Sequence, residues 1–241
     1  VCPPAVVELH VLGYGGWISS PHIGYTSVFV KTDINLLLDA GECTYVRMAQ
    51  CGLPWPDVVF VSHRHGDHIL GLPTFMLMAR RQGRRFSLLG NREVLEAARS
   101  LAVITGVENA LQYVDFVEAR QEMVIGGTKL RFAKTKHPVE TLAVRVEHGG
   151  RCVVYSSDTA PSDEVVELAR GCDLLIHEVS GNPGQEEEAH KVGHSTTRDA
   201  VEIAKKAGVK LLMPIHFYIE QPTVPPGVSL VLPTPCGRLV L

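Results

Sequence analysis

Three histidines and one aspartate fall within six residues of the chain, in the segment HRHGDH at positions 63–68. Neutral imidazoles and carboxylates at this spacing can bind zinc or a similar divalent metal ion. The segment directly follows the apolar run 58–61, which is typical of a buried strand that ends in a loop. A histidine-rich surface loop is the simpler explanation, but such a loop has no structural need for this pattern. We therefore predict four metal ligands here: His63, His65, Asp67 and His68.

Three further candidate ligands each follow an apolar stretch that is typical of a strand. They are His137 after residues 128–135, Asp158 after 153–155 and His216 after 211–215. Taken alone, each has an ordinary explanation: a surface histidine, a turn or helix cap, and a hydrogen-bonded core histidine. Strand ends on one edge of a layered sheet can converge in space, so the shared position after a strand is a stronger signal than any one residue. We therefore predict that all three join the same site.

Strands and helices must position these side chains. Alternating apolar patterns predict strands, and amphipathic segments that end at glycine predict helices. Their order predicts one layered α/β domain over residues 1–241, without repeats or low-complexity linkers. The predicted strands lie at 6–12, 26–32, 34–39, 58–61, 86–89, 112–117, 122–125, 128–135, 141–147, 151–156, 173–177 and 210–215, with a last short pair in the proline-rich tail 222–241. The predicted helices lie at 44–51, 69–82, 91–102, 162–170 and 197–207, and the acidic stretch 185–193 is predicted to be a loop. Pro73 is expected to break or delay the helix at 69–82.

A glycine-rich segment at 13–16 interrupts the chain after the first predicted strand. Three glycines in four residues permit backbone conformations that side chains forbid. One interpretation is a close approach of the backbone to an active site, and the other is a plain tight loop. The sequence alone does not favour either.

Composition excludes several classes of protein. The chain has 241 residues, 45% of them hydrophobic, and a formal net charge of −3. That is enough material for one sizeable core, and it argues against a strongly basic nucleic-acid-binding module. No apolar run is long enough to span a membrane, and no signal peptide is visible. We therefore expect a cytoplasmic protein.

The six cysteines are scattered, and no two form a C-x-x-C pair. This argues against a cysteine zinc site. We expect reduced thiols, with Cys152 and Cys172 as small core residues beside apolar runs. A Cys43–Cys51 bridge or another disulfide is a minority alternative.

The ligand pattern resembles that of the metallo-β-lactamase superfamily, and five segments resemble its ribonuclease Z-like and arylsulfatase-like branch. Those segments are LLLDAGE at 36–42, HGDHILGLP at 65–73, SDT at 157–159, DLLIHE at 173–178 and GHST at 193–196. The resemblance covers nearly the whole chain and implies a four-layer αββα sandwich with two metal ions at one edge. It implies that His63, His65 and His137 hold one metal, that Asp67, His68 and His216 hold the other, and that Asp158 bridges the two. The nitrogen- and oxygen-rich ligand set favours two zinc ions, with manganese or iron as alternatives.

Two such metal ions would lower the pKa of a bridging water and make hydroxide available near neutral pH. The resemblance further implies catalytic roles for three residues. Asp67 would orient the hydroxide or accept its proton, and Glu178 and His194 would assist proton transfer to the leaving group. The carboxylate of such a pair fixes the histidine tautomer and stabilises the imidazolium. The structural alternative is that Glu178 caps a turn and that His194 merely precedes the helix cap Ser195.

One departure from the family concerns RNA. Its tRNA-processing members usually carry an inserted arm, rich in glycine, proline and lysine, between the positions equivalent to His137 and Asp158. Here only residues 138–157 separate the two, and a plain strand pair accounts for them. Binding that rests on phosphate neutralisation would be weak without the cations of that arm.

We therefore predict a binuclear metal-dependent hydrolase that acts on small phosphodiesters and other esters through a metal-bridging hydroxide. The alternative is a tRNA 3′-end processing endonuclease of the ribonuclease Z type, with RNA as a less favoured substrate. Further alternatives are a lactonase or β-lactamase-type hydrolase, and a metal-binding regulatory or structural protein without turnover. The resemblance alone suggests a homodimer, and we expect no membrane partner.

Overall fold

The computed structural model describes residues 6–218 and 221–241, in which thirteen β-strands form two sheets and seven α-helices cover them. The strands are β1 (Glu8–Gly13), β2 (Ser27–Lys31), β3 (Asn35–Leu38), β4 (Val58–Phe60), β5 (Phe86–Gly90), β6 (Val114–Glu118), β7 (Glu122–Ile125), β8 (Thr128–Lys134), β9 (Leu142–His148), β10 (Arg151–Tyr155), β11 (Leu174–Glu178), β12 (Leu211–Ile215) and β13 (Arg238–Val240). The helices are α1 (Thr44–Gln50), α2 (Gly66–Ile69), α3 (Leu72–Gln82), α4 (Arg92–Ile104), α5 (Asp163–Ala169), α6 (Glu186–Lys191) and α7 (Thr197–Ala207), with a 3-10 helix at Glu108–Tyr113.

The two sheets divide the chain roughly in half. The first sheet has the order β13-β1-β2-β3-β4-β5-β6 and is parallel from β3 to β6. The second has the order β12-β11-β10-β9-β8-β7 and is parallel from β10 to β12. Parallel neighbours place their carboxyl ends at the same edge of a sheet. The predicted ligands follow β4 in the first sheet and β8, β10 and β12 in the second.

Three apolar clusters lie between the layers and hold them together. The first joins the two sheets and includes Leu36 and Phe60 on one side and Val144 and Ile176 on the other. The second packs α3 and α4 on the first sheet, and the third packs α5 and α7 on the second sheet. Each fully buried apolar side chain of this kind contributes about 1.5–3 kcal/mol. The resulting order of helix, sheet, sheet and helix confirms the predicted four-layer αββα architecture; the assignment of residues 1–241 to one domain stays a prediction.

The predicted helix 69–82 is two helices, α2 and α3, with a break at Leu70 and Gly71. The Gly71 amide donates to the carbonyl of Ala40 at 2.9 Å. A Cβ at Gly71 would lie 2.2 Å from the carbonyl oxygen of Gly41. The backbone at Gly71 therefore packs directly against the loop after β3, and this contact interrupts the helix.

The acidic stretch 185–193 was predicted to be a loop, but its residues Glu186–Lys191 form α6. Three glutamates occupy the first turn, and His190 and Lys191 occupy the last. Both arrangements favour the helix dipole. The proline-rich tail holds one strand, β13, which pairs with β1 rather than with another tail strand.

The expectation of reduced thiols is wrong in the structure. Disulfide bonds link Cys51 to Cys236 and Cys152 to Cys172, and Cys43 is the free, exposed cysteine of the described residues. Cys152 and Cys172 do lie in the third apolar cluster, as predicted. Cys51 and Cys236 are 185 positions apart, and only the return of the chain through β13 brings them together. Cysteine spacing alone does not reveal such a pairing.

None of the helices within residues 6–218 and 221–241 has the length and apolar character needed to cross a membrane.

Candidate metal centre

The loop after β4 brings His63 and His65 to two residues from the second sheet. The His65 Nδ1 atom lies 3.2 Å from His63 Nε2 and 3.2 Å from His137 Nε2. Asp158 Oδ2 lies 3.4 Å from His63 Nε2 and 3.7 Å from His137 Nε2. All four donor atoms fall within 4.8 Å of one another and could hold a metal ion. We call His63, His65, His137 and Asp158 the first cluster.

A second cluster shares Asp158 with the first. Asp67 Oδ2 lies 3.1 Å from His68 Nε2 and 3.2 Å from His216 Nε2. Asp158 completes the set, with its Oδ2 3.4 Å from His68 Nε2 and its Oδ1 3.3 Å from His216 Nε2. The second cluster is Asp67, His68, Asp158 and His216, and its donor atoms also meet the 4.8 Å limit. The structure thus brings all seven predicted ligands together at the seam between the sheets.

The donor set is incomplete without a cation. Among the described residues, Asp67 Oδ1, Asp158 Oδ1 and His68 Nε2 are buried and have no hydrogen-bond partner. A buried polar atom without a partner costs about 1–3 kcal/mol, and more when the group is charged. Nitrogen and carboxylate ligands at this spacing suit zinc and similar divalent ions. The residues present therefore fit the metal ions that the sequence predicts.

Asp39 lies beneath the clusters and organises them, which the sequence did not reveal. Its carboxylate accepts hydrogen bonds from the Ser62 amide (2.7 Å), the Ser62 hydroxyl (2.9 Å), His68 Nδ1 (2.7 Å) and the Tyr155 hydroxyl (2.5 Å). The bond from Nδ1 leaves Nε2 of His68 facing the second cluster. Tyr155 belongs to β10, so the same carboxylate also joins the two sheets. The only sequence signal for Asp39 was its place in the segment 36–42.

Hydrogen bonds also fix the orientation of three further imidazoles, as carbonyl and carboxylate partners commonly do for metal-binding histidines. His63 Nδ1 donates to the Ser62 hydroxyl at 2.9 Å, which itself donates to Asp39. His137 Nδ1 donates to the Gly193 carbonyl at 2.9 Å. His216 Nδ1 donates to the Ser180 hydroxyl at 3.3 Å. Each bond leaves Nε2 free to face the clusters.

The charges of the site depend on whether a cation is bound. Burial lowers the pKa of His63 to about 4, so this imidazole is neutral and available as a ligand. Burial would raise the pKa of Asp158, but His216 and His68 outweigh it and hold the pKa well below the usual range. Burial alone would lower the pKa of His68, but the nearby Asp67 and Asp158 carboxylates outweigh burial and raise that pKa. The two carboxylates thus retain protons on neighbouring imidazoles, and a metal ion would displace those protons.

Glu178 and His194 form a buried ion pair beside the clusters. His194 Nδ1 donates to Glu178 Oε1 at 2.7 Å. Glu178 is held by the Thr159 amide at 2.9 Å and by the Ser180 hydroxyl at 2.7 Å. Burial opposes protonation of His194, but Glu178, aided by Asp158 and Asp67, raises its pKa to about 9. The His194 ring lies 5.1 Å from the ring of His137 and 5.5 Å from that of His216.

Three residues of this edge adopt a left-handed backbone conformation without being glycine. Asp39 has φ of 64°, Ser157 of 50° and His216 of 64°. Such conformations cost on the order of 1–3 kcal/mol each and tend to occur at functional sites. They turn the chain sharply where β3, β10 and β12 end. The backbone conformation therefore contributes to aiming Asp39 and His216 at the centre.

The glycine-rich segment 13–16 contacts the same edge. A Cβ at Gly16 would lie 2.7 Å from the ring of Tyr218 and 3.1 Å from the ring of His216. The Gly16 amide donates to the Phe217 carbonyl at 2.9 Å. Of the two interpretations, the structure favours a close approach of this backbone to the site.

Comparison with known proteins places this geometry in a family. Residues 35–217 match the family model described as a beta-lactamase superfamily domain. Ribonuclease Z of Ignicoccus hospitalis is 30% identical over an alignment that covers 86% of this chain and 86% of the relative. Ribonuclease Z of Methanothermobacter thermautotrophicus is 28% identical, with 88% of this chain and 87% of the relative covered.

Solved structures share the fold. The metallo-beta-lactamase fold protein YhfI from Bacillus subtilis has a TM-score of 0.83 at 21% identity, covering 98% of this chain and 99% of that chain. Human tRNase Z, short form, has a TM-score of 0.81 at 20% identity, covering 96% and 98%. A diphosphatase from the PhnP family has a TM-score of 0.78 at 22% identity, covering 97% of each chain.

The alignment with the Ignicoccus relative runs over 261 positions, more than the 241 residues of this chain. That relative therefore has residues without a counterpart in this chain. The family model covers residues 35–217, most of the chain. This chain belongs to the metallo-β-lactamase superfamily of hydrolases and is ribonuclease Z-like within it.

Proposed function

We propose that this protein is a metal-dependent phosphodiesterase. The observation that carries the proposal is the buried Glu178–His194 pair, which lies against His137 and His216 of the two clusters. A phosphodiester needs a proton for its departing oxygen, and a protonated histidine held by a carboxylate can provide it.

The ligand assignment is part of the same proposal. His63, His65 and His137 would hold one divalent ion, Asp67, His68 and His216 a second, and Asp158 both. Asp158 Oδ2 lies near imidazole nitrogens of both clusters, and Oδ1 lies near His216 of the second. Zinc suits this donor set, and manganese or iron are alternatives. Bound metal ions supply an activated water molecule near neutral pH and neutralise charge on the phosphate.

The protein side chains then have distinct tasks. Asp67 is directed into the second cluster with one oxygen unpaired, where it can accept a hydrogen bond from the attacking water. His194 uses Nδ1 to contact Glu178, so Nε2 is the nitrogen that can donate a proton to the leaving oxygen. Glu178 has its own hydrogen bonds to Thr159 and Ser180, which hold the His194 ring in that orientation.

Cleavage of RNA is the second candidate, and the comparisons favour it over the small phosphodiester that the sequence analysis preferred. The curated relatives reported above are both named ribonuclease Z. One observation supports the small substrate: β9 and β10 form a plain hairpin through Gly149 and Gly150 where tRNA-processing relatives would carry an arm.

A substrate panel on protein of measured metal content tests both candidates. We expect hydrolysis of bis(p-nitrophenyl) phosphate that a chelator abolishes and added Zn²⁺ or Mn²⁺ restores. Accurate cleavage of a precursor tRNA at its 3′ end would identify RNA as the substrate. Full metal occupancy without hydrolysis of any phosphodiester would contradict the proposed activity.

A histidine variant tests the proton donor. With a poor alkoxide leaving group, His194→Ala should lower kcat by about 10²–10⁴-fold. With p-nitrophenolate, which leaves without a proton, the loss should be far smaller. His148→Ala is the matched control, because His148 ends β9 at the far edge of the sheet and bonds only to the Gly127 carbonyl and Asp33.

A further inference from the structure

A cavity of about 400 Å³ opens beside His194, between α6 and Tyr218. Small-ligand sites commonly have volumes of about 300–1,000 Å³. The walls include Ala189 and Val192 of the α6 segment and Ser180 after β11. The cavity is continuous with the proposed active site, because His194 lines it and the Tyr218 ring lies 5.3 Å from that of His216.

The position of His194 determines which part of a substrate would enter this cavity. Its Nδ1 atom is bonded to Glu178, so Nε2 is free on the opposite side of the ring. The ring also contacts Tyr218, at 5.7 Å between centroids. A group that receives a proton from His194 must approach Nε2, and the cavity that His194 lines offers space for that group beside the ring.

The lining of the cavity defines the chemistry of its occupant. Tyr218, Ala189 and Val192 offer aromatic and aliphatic contacts, and Glu188 supplies the one formal charge among the lining residues besides His194. Within the described residues Glu188 has no ion-pair partner, whereas Glu186 of the same helix pairs with Arg198 at 3.1 Å. The Glu188 carboxylate, which no described residue neutralises in an ion pair, would therefore repel a second anion in the cavity.

We propose that this cavity binds the leaving group of the phosphodiester, and that Glu188 selects an aromatic or aliphatic alcohol that is neutral or cationic over an anionic one. This inference rests on the proposed phosphodiesterase activity and names its substrate class. A polynucleotide that left through this cavity would bring its phosphates against Glu188. The reaction forms a bond between phosphorus and the water oxygen, with one water proton passing to Asp67. It breaks the bond to the leaving oxygen and transfers the His194 proton to that oxygen.

Three methyl aryl phosphate diesters test the selection, with a trimethylammonium group, no substituent or a carboxylate on the ring. We expect the metal-loaded wild type to prefer the cationic over the anionic ester by about tenfold in kcat/KM, mainly through KM. The preference should disappear in Glu188→Gln and reverse in Glu188→Lys. Dividing each wild-type value by that of the variant cancels the intrinsic reactivity of the three esters.

Glu187→Gln is the matched control, because Glu187 precedes Glu188 on the same helix, is exposed as Glu188 is, and does not line the cavity. It should keep the wild-type preference. An equal change in both variants, or an unchanged preference in Glu188→Gln, would overturn the leaving-group assignment while leaving the phosphodiesterase activity intact. Failure of the loaded wild type to hydrolyse the three esters would overturn the leaving-group assignment, and it would overturn the phosphodiesterase activity too if bis(p-nitrophenyl) phosphate and precursor tRNA also stayed intact.

Discussion

The two sheets supply the metal centre in different ways. The first sheet contributes four candidate ligands from one six-residue loop after β4. The second contributes His137, Asp158 and His216 from three separate strand ends, together with Glu178 at the end of β11. Neither half has a complete set of donors, since each cluster draws on both. The centre therefore depends on the packing of one sheet against the other.

The two groups of ligands therefore depend on different structural support. The loop needs an anchor beneath it, which Asp39 provides through Ser62 and His68. The strand ends need only the register of the second sheet, because β10, β11 and β12 are parallel neighbours. Tyr155 of β10 donates a hydrogen bond to Asp39, and this bond links the second sheet directly to the anchor of the loop after β4.

The largest expected effect comes from the ligand that both clusters share. Asp158→Ala should remove both metal ions and lower activity more than about 100-fold, because both its oxygens face donor nitrogens. His65→Ala should weaken the first cluster alone. Metal content after dialysis distinguishes them, with near zero ions expected for the first variant and one for the second. Equal metal content in the two folded variants would contradict a shared role for Asp158.

The anchor beneath the loop should matter next. Asp39→Asn removes the charge that accepts four hydrogen bonds, and we expect metal affinity to fall about 10–100-fold. Tyr155→Phe removes only one of the four bonds, so it should cost about 1–3 kcal/mol of stability and change metal affinity much less. Chelator competition measures the affinities, and thermal unfolding of the metal-free proteins measures the stabilities. If Tyr155→Phe lost more metal affinity than Asp39→Asn, the hydrogen bond between the sheets would matter more for metal binding than the Asp39 contacts to Ser62 and His68.

Among the ligands from the second sheet, His137 should be sensitive to substitution of Gly193. A Cβ there would lie 2.6 Å from Pro138 Cδ and 3.0 Å from His137 Nδ1, at a φ of 80°. Gly193→Ala should therefore displace His137 and lower metal affinity by roughly tenfold. Gly184→Ala is the control, since φ is also positive (99°) but a Cβ would meet nothing within 4 Å. If both variants lose the same metal affinity relative to the wild type, backbone strain rather than the contact with His137 is responsible for the loss.

The smallest effect is expected at the edge of the second sheet far from the centre. Asp173 accepts hydrogen bonds from the Cys152 amide and from Lys210, both at 2.9 Å. Burial would raise its pKa, but Lys210 and the amide outweigh it and lower the pKa. Its contribution, about 1 kcal/mol, is thus present above the unfolded pKa of about 3.9 and is lost as pH falls further. Asp173→Asn should lower Tm at pH 7 but hardly at pH 3, with metal content unchanged.

The sequence predicted the layered fold and the convergence of the seven candidate ligands because both depend on local patterns. Apolar strands that stop at polar residues are visible in the chain itself, and parallel strand ends meet at one edge. Glu178 and His194 came from the family resemblance, and their roles stay a prediction. The alternating order of strands and helices predicted a layered α/β domain, and the family resemblance supplied the number of layers.

The parts that were missed depend on contacts between distant positions. Asp39 and Tyr155 are 116 positions apart, so no local pattern reveals their hydrogen bond. Helix α6 has only six residues, too few for an amphipathic pattern to distinguish it from a polar loop. The cavity exists only because α6 and Tyr218 face each other across His194.

The Cys51–Cys236 disulfide gives the molecule an unusual connectivity. It closes a covalent ring that contains all the candidate ligands as well as Glu178 and His194, since these lie between positions 63 and 216. A single proteolytic cut anywhere in that ring would leave both fragments covalently joined. The same ring permits new termini to be opened in an exposed turn such as that at Gly149 and Gly150, while the natural ends stay tethered to the fold.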